Sequence, residues 1–324
     1  MRHHIQLLHT NDNTPETLLN GTLLWEKKDF LYPERPSLPS SSSYEFSECS
    51  FTNCYSGTTG GAISLSNSQS SLSIDHNIFN GCNVPTSSDR CYGGAIYCSP
   101  SYSIIISSSS FISCNSFRGG GVYLESISHY CSVSHSLFTH CAASDWGNGL
   151  LLYKLPPTNG GSSNSNITPL PVSSSCRFLH NEHEVTTSGA LYYRPLNGEH
   201  TIRENLYTSN HASLYGGAIE YNIPGNYNPT SATFYFNLFS NNYANNWGND
   251  VLIYGNDKYN DINPFVHCFS TSNSLNRLGS CDGTFTHKDN WIPQSTLLFC
   301  IDCYSLLSSD HVVSRRKNEA FVGL

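Results

Sequence analysis

The chain has 324 residues, a net charge of -8 and a pI near 5.9, an acidic balance that excludes the basic footprint of a nucleic-acid binder. Only 12% of its residues are charged while 38% are apolar, and a chain so poor in charge and so rich in Ser, Asn and Gly is ordered only if its apolar residues are regularly placed. Thirteen cysteines point to an oxidising compartment, and their odd number leaves at least one without a partner.

In chain order, the first residues (MRHHIQLLHTNDNTPETLL) hold no apolar run of the kind a secretory leader needs. The best membrane candidate, Thr296 to Leu307, is too short for a span and carries Asp302, so no membrane span is expected. Residues 1–40 are expected to be an N-terminal cap and linker. Pro15 to Leu24 has a weak helical spacing (Leu18, Leu19, Leu23, Leu24), and Pro33 to Ser43 is rich in Pro and Ser.

From 41 to 272 one phrase recurs: a glycine or two, a small residue, then an alternating apolar strand. It reads GGAISL from Gly60, GGAIYC from Gly93, GGGVYL from Gly119, GNGLLL from Gly147, SGALYY from Ser188, GGAIEY from Gly216 and GNDVLI from Gly248. Each is preceded by an aromatic anchor: Phe51, Phe79, Phe111, Phe138, Phe178, Tyr207 and Phe239, with Phe265 as an eighth. An insertion at 154–175, rich in Gly, Ser, Asn and Pro, reads as a loop pushed out of one coil. Five residues before most anchors stands another apolar residue (Phe46, Ile74, Ile106, Val133, Ile202, Phe234). Five is odd, so a bulge or corner must separate the two if both face inward. Units of this size cannot bury a core alone. Stacked in register, they make an all-β parallel β-helix solenoid of about eight coils around a column of Phe, Ile, Leu and Val. Residues 273–324 lose the pattern and read as a C-terminal cap or truncated segment.

The pairing of GGA[ILV] with FxxN, here also FxxC, resembles the polymorphic outer-membrane protein repeat of bacteria and its relatives in protozoan surface proteins. The resemblance covers residues 44–270 and implies a right-handed parallel β-helix of pectate-lyase-like shape displayed at a cell surface. No outer-membrane barrel is recognisable at the C-terminus.

The most regular polar position lies three after the anchor: Cys54, Cys82, Cys114, Cys141, Asn181, Asn210, Asn242 and Cys268. Asn stacks bond along the axis. Stacked cysteines fall within disulfide reach, so staples or a metal ladder stand beside the favoured reading of small, packed, reduced thiols. Cys300 and Cys303 form a CxxC which, with Cys268 and Cys281, lacks the second close pair of a zinc site. The GND triplets at Gly248 and Gly255 do not recur as consecutive nonapeptides need to for calcium. WGNGLLLY from Trp146 matches WGNDVLIY from Trp247 and reads as a structural corner. Sequons at Asn20 and Asn166 are near chance in so Asn-rich a chain. No metal or cofactor is therefore expected.

For catalysis, β-helix glycosidases need paired carboxylates on one face. The HNEHE run at His180–Glu184 reads as a solvated turn. Aligning the strands after the glycines puts Ser64, Tyr97, Tyr123, Leu151, Tyr192, Glu220 and Leu252 at one outward position, with a single carboxylate among them. Tyr97, Tyr123, Tyr192 and Glu220 are the candidate binding residues. The function expected is a non-enzymatic surface or extracellular scaffold for adhesion or ligand presentation, with glycans or cell-surface proteins as partners. The alternative is a carbohydrate-active enzyme or a carbohydrate-binding β-helix.

Overall fold

The computed structural model describes 43–155, 171–195, 201–223, 234–246 and 248–255 continuously, with shorter pieces at 16–17, 22–26, 28–31, 36, 38, 265–266, 269–270 and 278–280. All of its regular structure is β, and, apart from one short antiparallel pairing at the N-terminal end, every strand pairing is parallel. The chain winds as a parallel β-solenoid of about six turns, somewhat fewer than the eight expected, with partial rungs at each end. Each turn carries an entry strand after the glycines, a middle strand and a short anchor strand. Entry and middle strands join one 16-stranded sheet, and the anchor strands form a second, 9-stranded sheet.

The anchors make the interior. Phe30, Phe51, Phe79, Phe111, Phe138, Phe178, Tyr207 and Phe239 stack with centroids 4.5–5.2 Å apart and planes within 10°. All eight are fully buried. The parallel rung spacing of about 4.8 Å is what allows rings one coil apart to lie face to face.

The odd spacing between middle and anchor residues is resolved by one left-handed residue per coil. Three before each anchor stand Glu48, His76, Ser108, His135, Ser175, Glu204 and Phe236, all with φ of 48–58°. A residue in this region turns the chain without a second break in the alternation, so both apolar neighbours point inward. His76 and His135, which align at this position in the sequence, are thus corner residues. The glycine pair supplies another corner: Gly93 has φ +66°, and a Cβ on Gly94 would lie 2.0 Å from the Gly120 carbonyl oxygen of the next coil. Only a residue without a side chain lets the two backbones approach so closely.

Two polar ladders line the interior at the corners. In the one expected three after the anchors, Cys54, Cys82, Cys114 and Cys141 each donate their S–H to the carbonyl of the preceding coil's anchor, at 3.4–3.6 Å. Asn181, Asn210 and Asn242 use Nδ2 for the same bond at 2.8–3.0 Å. Their Oδ1 atoms add a second one, accepting at 3.0 Å the backbone N–H of the previous ladder residue. Cys and Asn are interchangeable here because each offers a donor short enough to reach one carbonyl. The second ladder, two before the anchors, runs through Cys49, Asn77, Ser109 and Ser136 and, further on, through Cys176, Asn205 and Asn237.

The nine described cysteines are all buried, and none is in a disulfide. Burial pushes the Cys49 and Cys176 thiols up to about 11 and the Cys131 thiol to about 12, and holds Cys114 well above its ordinary value. A thiol so protonated neither exchanges nor oxidises readily. Denatured protein freshly prepared from its native source is expected to titrate with nearly all thirteen thiols free. A majority recovered as disulfides would instead establish a stapled solenoid.

Two expectations need correcting. Thr22–Glu26 is a strand, not part of a helix, and pairs in parallel with Ser43–Ser47; Trp25 and Phe30 thereby add a rung within the stretch read as cap. The Leu spacing that suggested a helix is incidental, because the stacked coil offers Thr22–Glu26 a ready strand edge. Phe265 pairs with Phe234 on the middle face, while Phe269–Ser270 continues the anchor sheet beside Leu238–Phe239. Phe265 therefore belongs to a middle strand and not to an anchor strand. Cys268, Cys281, Cys300, Cys303, Asn20, Asn166, residues 156–170 of the insertion and 281–324 lie outside the described residues.

Candidate binding face

The outer side of the entry strands carries the candidate residues, and their alignment is the one expected. Ser64 pairs with Tyr97, Tyr97 with Tyr123, Tyr123 with Leu151, Leu151 with Tyr192, Tyr192 with Glu220, and Glu220 with Leu252. Period two keeps this column outward while Ile63, Ile96, Val122, Leu150, Leu191, Ile219 and Val251 point into the core.

The column is not a free platform along its length. Tyr123, Leu151, Tyr192, Glu220 and Leu252 are buried, and only Ser64 and Tyr97 remain half-buried. What closes the gap at Leu151 is a second column that the sequence alignment missed: the residues just before the glycines. Tyr92, Arg118 and Trp146 stand there. Tyr92 stacks on Tyr123 at 4.8 Å and Trp146 stacks on Tyr192 at 4.9 Å. The Arg118 guanidinium lies 4.0 Å from the Trp146 ring centre and 5.9 Å from that of Tyr92. Together they form a ribbon of aromatic rings interleaved with one cation, outside the coil. The available signal was the series Thr59, Tyr92, Arg118, Trp146, Thr187 and Tyr215 ahead of successive corners, in which large planar side chains recur.

Charge along the ribbon is paired. Arg118 Nε donates to Asp145 Oδ2 at 2.7 Å, and Thr187 Oγ1 donates to Asp145 Oδ1 at 3.2 Å. On the other flank, Tyr123 donates its hydroxyl to Glu125 Oε2 at 2.9 Å, and Lys154 lies 3.5 Å from Glu125 Oε1. Glu220 is the exception. Its Oε2 and the Tyr192 hydroxyl on the neighbouring rung are buried without a hydrogen-bond partner. Burial, and then the Asp145 carboxylate nearby, push the Glu220 carboxyl up to about 8.

No family model, curated protein or solved structure matches this chain.

The other candidates resolve into structure. Asp250 of the GND segment is fully buried, and its Oδ1 accepts from Asn242 Nδ2 at 3.1 Å, ending the Asn ladder. At the WGN corners, Asn148 and Asn249 side chains accept the backbone N–H groups of Ala143 and Ala244. In the HNEHE run Glu182 and Glu184 are exposed, and His183 Nδ1 accepts only the Val185 backbone N–H at 3.3 Å. Among the described residues no three His, Cys, Asp or Glu side chains converge as a metal would require, and no helix is long and apolar enough to cross a membrane.

Proposed function

We propose that this chain is a non-enzymatic surface or extracellular β-solenoid scaffold that serves adhesion or ligand presentation through its outer entry face, with glycans or cell-surface proteins as partners. Fold alone does not carry such a reading. The observation that carries it is the state of the ionisable groups on that face. Hydrolysis or elimination on a solenoid needs two open, unengaged groups at matched positions. Here the one carboxylate in the outward column is buried between Tyr192 and Leu252, while Asp145 and Glu125 are each tied to a cation. What the face offers solvent is half-buried Tyr, Trp and Ser, suited to contact without turnover. The resemblance to the polymorphic outer-membrane protein repeat, with its surface display, belongs to the same proposal.

One observation favours the second reading, a carbohydrate-active enzyme: a carboxyl held protonated near neutrality beside a second carboxylate is the pairing a general acid needs. One assay decides between them. Purified protein incubated with pectin, alginate, hyaluronan and chitin, with and without calcium, is expected to release no reducing ends or unsaturated products above a boiled control. Turnover that disappears in Glu220→Gln would establish the enzyme instead.

A further inference from the structure

The aromatic ribbon ends abruptly at its N-terminal side, and the end is open. Tyr92 and Tyr97 lie side by side on one coil, 6.1 Å apart with planes 21° from parallel, and both rest on Tyr123 of the next coil. Tyr123 covers one face of each. On the preceding coil the residues in register are Thr59 and Ser64, too small to cover the other. Their hydroxyls are bonded to each other at 3.0 Å, and all four residues of the step are half-buried. Among the described residues the rings and the cation that meet Tyr92 and Tyr97 belong to their own coil or to the next, and none to the preceding one. The result is a step: a floor of two ring faces meeting a wall of two hydroxyls.

Resting on the reading of this face as a binding surface, we infer that the step at Thr59, Ser64, Tyr92 and Tyr97 is a subsite for an uncharged saccharide ring. The apolar C–H side of a sugar covers an aromatic face, and its hydroxyls need both donors and acceptors at the edge. The wall supplies hydroxyls that do both. The nearest ion pairs, Arg118 with Asp145 and Lys154 with Glu125, add no net charge, and the chain as a whole carries -8. A polyanion would be repelled, and a basic peptide would meet carboxylates already engaged. A neutral sugar meets neither obstacle.

The test is calorimetric titration of the full chain with cellohexaose, xylohexaose, mannohexaose and chitohexaose, beside oligogalacturonate and heparin fragments. Binding of at least one neutral oligosaccharide is expected, with a tenfold or greater loss in Tyr97→Ala. Ser64→Tyr should abolish binding by extending the stack over the step. It changes an outward position, so unchanged thermal unfolding distinguishes blocking from misfolding. Tighter binding of the anionic probes, no binding of any probe, or neutral binding indifferent to Ser64→Tyr would each overturn the subsite. None of these outcomes bears on whether the scaffold lacks turnover, which the product assay decides separately.

Discussion

Replacing Phe138 with alanine is expected to destabilise the fold by about 3–5 kcal/mol in urea unfolding. The ring is fully buried in the middle of the anchor stack, 4.7 Å from Phe111 and 4.9 Å from Phe178. Its neighbours across the interior are Gly121 and Gly149, where most other coils carry alanine, so the backbone already packs against Phe138. Those glycines have no side chains with which to refill the space, and the cavity would persist. Ile78→Ala is the matched comparison, because Ile78 is an anchor-strand residue facing outward and 49% exposed. It should change stability by no more than about 0.5 kcal/mol. Equal effects at the two positions would refute the stacked interior.

The second large effect is a dependence on pH centred on Glu220. Its carboxyl, ordinarily near 4.5, sits at about 8 in the fold because it is buried and lies near Asp145. Between those values the folded chain holds a proton that the unfolded chain has released. The stabilisation linked to that proton is complete below pH 4.5 and lost progressively up to pH 8, at about 1.4 kcal/mol per pH unit and roughly 5 kcal/mol in all. Glu220→Gln keeps the shape and removes the titration. The stability of the variant relative to the parent should therefore climb by about 3–5 kcal/mol from pH 4.5 to pH 9 in urea unfolding. A constant difference across that range would mean that Glu220 ionises as an exposed carboxylate does.

The legible parts of this fold were those repeated without exception. The alternation after the glycines gave the correct register for all seven outward residues from Ser64 to Leu252, and the odd spacing of five demanded a corner where a left-handed residue now stands. What escaped was marked by geometry and not by residue type. The second ladder mixes Cys49, Asn77, Ser109 and Asn205, which share only a short polar atom able to reach the next coil. Phe265 looked like an anchor because it is aromatic, yet its place is set by the pairing of Phe234. Arg118 went unnoticed, and Trp146 was read only as part of a corner, because both stand before the strand and meet Tyr92 and Tyr192 only once the coil is closed.

The corners also divide the coil into rigid and forgiving parts. From middle residue to anchor the count is fixed at five by a single left-handed turn, with polar ladders on either side of the anchor strand. Between entry and middle strands nothing so strict intervenes. Leu65 is followed by Leu72 within one continuous strand, whereas Leu155 and Pro171 are separated by the whole insertion, yet both coils pair with their neighbours, with local register shifts taking up the difference. The edge between entry and middle strands is thus one place at which the chain can be lengthened or decorated, and it recurs once per turn. Lineages could diverge along that edge in length, glycosylation or epitope while the stacked rings beneath it remained interchangeable from coil to coil.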